Sequence, residues 1–239
     1  MRYEGNAEVS GINRKIKALL EENRSLFEGK PIVFDGVVDE AAFLNSGIRT
    51  AFLLKEVNDR DRQEDWEDFL DNYVRKQAYT DKMYTTWPNV CLWMEALKED
   101  NIFYRDCLNG NGSFDVDKLQ QNLLDIAIVN IKKTAGGSAS KHDELVQAAD
   151  RYGFVVRRQM ELIGPRLVIC GGTFEYAKSI FGVEQQRVRM LPSGAEYFQE
   201  GETVYLQFVH PVWYTVSRKI LFAYAKVTFA EVKNLLGMI

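Results

Sequence analysis

The chain has 239 residues, 46% of them hydrophobic and 27% charged, with a formal net charge of −4 at pH 7. That length suits one domain with a substantial core, and the acidic balance argues against a protein that coats nucleic acid while leaving room for a local basic face. No apolar run reaches the roughly 18 residues of a membrane span, and the opening MRYEGNAEVS lacks the apolar centre of a secretion signal, so a cytoplasmic protein without a membrane partner is expected.

Cys91, Cys107 and Cys170 form no CxxC pair, which points to three free thiols and away from a zinc or iron–sulfur site. Ile12, Ile16, Leu19, Leu20 and Phe27 recur at helical spacing, predicting a helix over 9–27. GKPIVFDG, 29–36, is a loop with room for a short edge strand. The run at 51–54 predicts a strand buried on both faces, and Lys55, Glu56, Asn58 and Asp59 follow it at once. Residues 61–77 are acidic and carry Trp66, Phe69, Leu70, Tyr73 and Val74 on one helical face. TTWPNVCLWMEALKED, 85–100, reads as a turn into a helix with Pro88 in its first turn. NGNGS, 109–113, is a loop, and Asp115 caps a helix carrying Leu119, Leu123 and Leu124.

A second buried strand spans 125–131 and reaches Asn130 before the loop KKTAGGSAS. Ser140 and Asp143 form a capping-box pattern for a helix to Ile163, stopped at Gly164-Pro165. A third strand, 166–172, ends in a glycine pair, and Thr173 opens a helix through Phe181. Residues 187–201 read as irregular. A fourth strand, 203–210, ends at His210-Pro211, and Thr228 with Glu231 caps a last helix. This alternation predicts an α/β fold: three layers, α/β/α, around a central four-stranded, mainly parallel sheet. A single domain is expected over 1–239, with 1–48 as an N-terminal helical extension.

Parallel strands deliver their carboxyl ends to one rim, where ligands bind in open α/β sheets. Glu56, Asn130, Gly171-Gly172 and His210 each fall at such an end. A carboxylate, an amide and an imidazole in one cleft can activate water, read a planar ligand and stabilise a developing anion. Each has a plainer reading by itself: Glu56 as an ion pair with Lys55, Asn130 as a turn cap, His210 as a structural histidine, and His142 as a surface residue.

The four motifs in this order resemble the uracil-DNA glycosylase superfamily. LKEVND, 54–59, stands where that superfamily has a water-activating motif such as GQDPYH or GMNPG. AIVNI carries the position of its base-reading asparagine. HPVWYTVSR, 210–218, tracks HPSPLSVYR without gaps. The resemblance covers 49–221 in motif order and rests on the set, since each motif alone is weak. It departs at Leu54 for glycine, at Val57 for proline, and at Asn58 for the aromatic residue that walls off the pyrimidine C5 position.

The resemblance implies a monofunctional DNA glycosylase that flips a pyrimidine and hydrolyses its N-glycosidic bond to leave an abasic site. Glu56 falls on the water-activating acid; a one-step change of register gives Asn58 or Asp59 that role. His210 falls on the donor to the departing base, and Asn130 on the reader of its Watson–Crick edge. Trp87 is a candidate for stacking on the base. Tyr214, with Trp213 beside it, takes the place of the wedge that fills the emptied stack. Lys132, Lys133 and Arg218, with Lys141, Arg187 and Arg189, are candidate phosphate contacts on double- or single-stranded DNA. Without the aromatic wall, a C5-modified base such as glucosylated 5-hydroxymethylcytosine fits, which implies defence against phage. Uracil repair, with Tyr84 or Trp87 closing the wall, and a non-catalytic nucleic-acid or nucleotide binder are the alternatives. No metal, cofactor or obligate protein partner is required.

Overall fold

The structure, a computed structural model, describes residues 11–57, 86–110, 112, 115, 121–137, 140–212 and 215–237. Its apolar runs form β1 (Thr50–Leu54), β2 (Ile126–Asn130), β3 (Leu167–Gly171) and β6 (Thr203–Phe208). These four are parallel neighbours in the order β2-β1-β3-β6. All residues of β1, β2 and β3 are buried, as a parallel sheet covered on both faces requires.

The sheet is larger than four strands. β4 (Arg189–Met190) and β5 (Glu196–Glu200) extend it antiparallel beyond β6, making six strands in a mixed sheet. The span 187–201, expected to be irregular, therefore holds an edge hairpin. Its signal is weak because only Tyr197 and Phe198 are buried in β5. What closes β5 onto β6 is the two-residue turn Gly201-Glu202, with Gly201 at φ 59°. That left-handed conformation suits tight hairpins and is cheap for glycine.

Alternation along the strands sends two sets of side chains to opposite faces. Phe52, Leu54, Ile128, Ile169 and Leu206 join a core with α3 (Thr86–Lys98) and α6 (Arg218–Leu235). Leu53, Val129, Val168, Cys170 and Tyr205 join a second core with α1 (Ile12–Glu22), α4 (His142–Ile163) and α5 (Phe174–Phe181). Short α2 (Glu40–Asn45) is capped by the Asp39 side chain, which accepts from Ala42 N. All three cysteines are buried, and none is in a disulfide. No helix among the described residues is long and apolar enough to cross a membrane.

Residues 32–38 line the outer edge of β2. Ile32 bridges Thr134 and Val37 bridges Ala127, both antiparallel, and Val33 N, Ile128 N and Val38 N complete the pairing. An otherwise open edge of the parallel sheet is thereby covered.

Two expected caps do not form. α6 begins at Ser217, whose Oγ accepts from Ile220 N, so Thr228 sits mid-helix and fully buried while Glu231 accepts from Ser193 N. The longer helix forms because Leu221, Phe222, Ala225, Phe229 and Val232 all reach the core at helical spacing. α4 begins after Lys141, with no side-chain cap; Asp143 and Glu144 occupy its first turn, where acidic groups suit the helix dipole. The predicted helix over 61–77 lies outside the described residues. Of the one after Asp115, residues 121–124 are helical.

Candidate functional site

Three strand ends are clamped together at the rim. Gly171 leaves space that no other residue could: a β-carbon there would lie 2.9 Å from Leu54 Cδ2 and 3.1 Å from Pro211 Cδ. Thr173 Oγ1 donates to Leu53 O at 2.6 Å, and Gly172 N donates to Phe208 O at 2.9 Å. Gly172 has φ 68°, which turns the chain sharply from β3 toward α5. The ends of β1, β3 and β6 therefore meet where the strand order reverses, the usual ligand crevice of such sheets. From α3, Asn89 donates its Nδ2 to Pro211 O; its buried Oδ1 has no partner among the described residues.

His210 is neutral and directional. Its Nδ1 accepts from Val212 N at 3.1 Å, so the ring proton belongs on Nε2. Burial, and after it the nearby Lys55 ammonium, lowers its pKa to about 4. At neutral pH His210 thus offers one N–H donor and no charge.

Glu56 turns away from Lys55. Its side chain, 4% exposed, takes Lys132 Nζ at 2.6 Å, and the same ammonium reaches Glu144 at 2.7 Å. Lys141 Nζ lies 3.0 Å from the other Glu144 oxygen. Burial alone would lower the Lys132 pKa, but the hydrogen bonds to Glu144 and Glu56 outweigh it and the net shift is upward. Glu144, held by Lys132 and then Lys141, is lowered to about 2. Gly136 makes this possible, since any β-carbon there would overlap the Glu56 carboxylate. The lysine hydrogen bond occupies Oε2; Oε1 has no partner among the described residues.

Asn130 faces the sheet edge. Asp35 Oδ2 accepts from Asn130 N at 2.6 Å and from its Nδ2 at 3.1 Å. The Asp35 carboxylate also takes Lys133 Nζ at 2.8 and 3.0 Å and Gln159 Nε2 at 2.7 Å. Lys133 is wholly buried. It is not placed to touch a phosphate, and burial lowers its pKa against the pull of Asp35. The run Lys132-Lys133 reads as a basic loop in sequence, yet both ammoniums are spent on the protein's own carboxylates.

The structure thus brings the backbone ends carrying Glu56, Asn130 and His210 to one rim, but gives each side chain its own partners. No hydrogen bond joins any two of the three among the described residues. Trp87, half-buried, packs on the α3 and α6 core two residues before Asn89. Arg218 is the first residue of α6. Arg187 is bound to Glu200 at 2.9 Å. Asn58, Asp59, Tyr84, Trp213 and Tyr214 lie outside the described residues. His142, read as a surface residue without a partner, is exposed but has one: its Nδ1 lies 2.7 Å from Tyr176 Oη. An open depression of about 390 Å³ is lined by Glu95, Lys98, Glu99, Asn101, Ile102 and Asp106. It sits at the far end of α3 from Asn89, away from this rim.

Sequence reasoning missed Asp35, Asn89 and Gly136, whose partners are remote in the chain. It also passed over Lys55, which it offered only as an ion-pair partner for Glu56. In comparisons with known proteins, no protein-family model matches the chain, and no curated protein matches it.

Proposed function

We propose that the protein is a DNA glycosylase that hydrolyses the N-glycosidic bond of a flipped pyrimidine nucleotide. The carrying observation is the meeting of three strand ends at the chain reversal, with a neutral, Nε2-donating His210 there and an ion-paired Glu56 at the end of β1. Cleavage leaves positive charge on the sugar and negative charge on the base. Glu56, held by Lys132 through Oε2, would orient a water through its other oxygen and offset the sugar charge. His210 would donate to the base oxygen that gains charge, at no cost of prior deprotonation. Asn130, its Nδ2 tied to Asp35, would present Oδ1 to an N–H on the base edge. A C5-modified pyrimidine, as in phage DNA, is the first substrate class on this reading, and uracil the second.

The engagement of Glu56 in an internal ion pair favours one further reading, a nucleic-acid binder on the same frame in which Glu56 is structural. Oligonucleotides bearing uracil, thymine, 5-hydroxymethylcytosine or its glucosylated form, followed by alkali, separate the two. We expect strand breaks at one base, and turnover reduced on the order of 100-fold or more in Glu56→Gln and His210→Ala with binding retained. Binding by the wild type with no breaks at any base leaves the binder. Breaks undiminished in both variants remove the site assignment.

A further inference from the structure

Glu56 pairs with Lys132 and not with the neighbouring Lys55. Among the described residues no carboxylate takes the Lys55 ammonium. Its stem crosses the Gly172 turn: a β-carbon on Gly172 would lie 3.5 Å from Lys55 Cε and 3.4 Å from His210 Cβ. The Lys55 stem and the base of the His210 side chain therefore lie against the same glycine turn. Lys55 is also the charged group whose field His210 feels. An ammonium with no carboxylate on it among the described residues, close to a neutral histidine, is a site for a negatively charged oxygen.

We propose that Lys55 is a catalytic residue, its ammonium holding the negative charge that a departing pyrimidine gathers on its carbonyl oxygen beside His210. This rests on the glycosylase reading and adds to it a charge where the histidine supplies only a dipole. The C1′–N1 bond breaks with its electron pair on N1, and that charge spreads to the adjacent carbonyl oxygen, which faces Lys55 and His210. Water forms the new C1′–O bond and gives its proton to Glu56, from which it passes to solvent. The base leaves as an anion and is protonated there. A full charge at a developing anion in a partly buried cleft is worth more than a neutral hydrogen bond.

The test uses Lys55→Met and Lys55→Arg in the full chain, with free 6-azauracil as the probe because its ring N–H ionises readily. Calorimetric titration should find the ionised probe bound at least tenfold more weakly by Lys55→Met, the neutral probe little changed, and Lys55→Arg close to wild type. By NMR, the His210 midpoint should rise in Lys55→Met. On whichever oligonucleotide the wild type cleaves, kcat should fall on the order of 100-fold in Lys55→Met, with an unchanged salt dependence of binding. Equal binding of the anion by wild type and Lys55→Met overturns the proposal, as does no binding by either. An effect on inorganic phosphate and on the salt slope, with none on the probe, also overturns it and makes Lys55 a phosphate contact. Lys55-dependent binding of the anion without release of base from any oligonucleotide keeps the anion site and sinks the glycosylase reading instead.

Discussion

His210 shows how one residue's surroundings set its chemistry. Folding buries it beside Lys55, so the folded state resists its protonation. Its pKa falls from the ordinary 6.5 to about 4. The unfolded chain therefore binds more protons between those values, and linkage makes stability rise with pH there. The contribution is fully present above about pH 6.5 and is lost as pH falls toward 4. Urea denaturation across this window should show the loss in the wild type, and His210→Asn should flatten it. An equal slope in both proteins would place the titrating group elsewhere. Glu144 acts lower, since its stabilisation by Lys132 and Lys141 is lost as pH falls from its ordinary 4.5 toward about 2. The residues differ in how far sequence could reach them. The places of Glu56, Asn130 and His210 at strand ends were legible because each closes an apolar run. The burial of Lys133 was not, because its partner Asp35 lies 98 positions away and a lysine pair reads as solvated until that partner is known.

At the scale of elements, β1, β2 and β3 were readable because strands buried on both faces are dominated by apolar residues, and β6 because Val204, Tyr205, Leu206 and Phe208 are buried within it. The edge hairpin was not, since β5 buries only two side chains and β4 none. The start of α6 was misread for a different reason. Thr228 and Glu231 match a capping box in spacing, but a box cannot form mid-helix, where the backbone N–H groups already have partners. The cap is Ser217, whose Oγ accepts from Ile220 N at 3.4 Å. Ser217→Ala should therefore cost about 1 kcal/mol. Thr228→Val should be neutral or stabilising, because the buried Thr228 hydroxyl has no hydrogen-bond partner among the described residues. Chemical denaturation of the two variants decides it. A cost at Thr228 with none at Ser217 would move the helix start back to where the sequence pattern put it.

Across the whole molecule, the N-terminal segment is built into the sheet. Residues 32–38 occupy the β2 edge, and Asp35 completes the ladder by accepting Asn130 N in place of a backbone carbonyl. The same carboxylate neutralises a fully buried lysine and holds Gln159 of α4. Removing the segment would therefore strip the edge strand and also strand the Lys133 charge in the core. Breaking a buried pair from one side costs about 3–5 kcal/mol, a large part of the roughly 5–15 kcal/mol that holds a domain folded. Truncation after Val38 should give a chain that is unfolded or aggregated in gel filtration. Asp35→Asn in the full chain should lower stability by several kcal/mol, and Lys133→Met added to it should recover much of that loss, since the second change removes the uncompensated charge. Both charges matter to the rim, because Asn130 takes its amide orientation from Asp35. A truncated chain that still unfolds cooperatively at an unchanged urea midpoint would show that the edge is dispensable, and the Asp35 network with it.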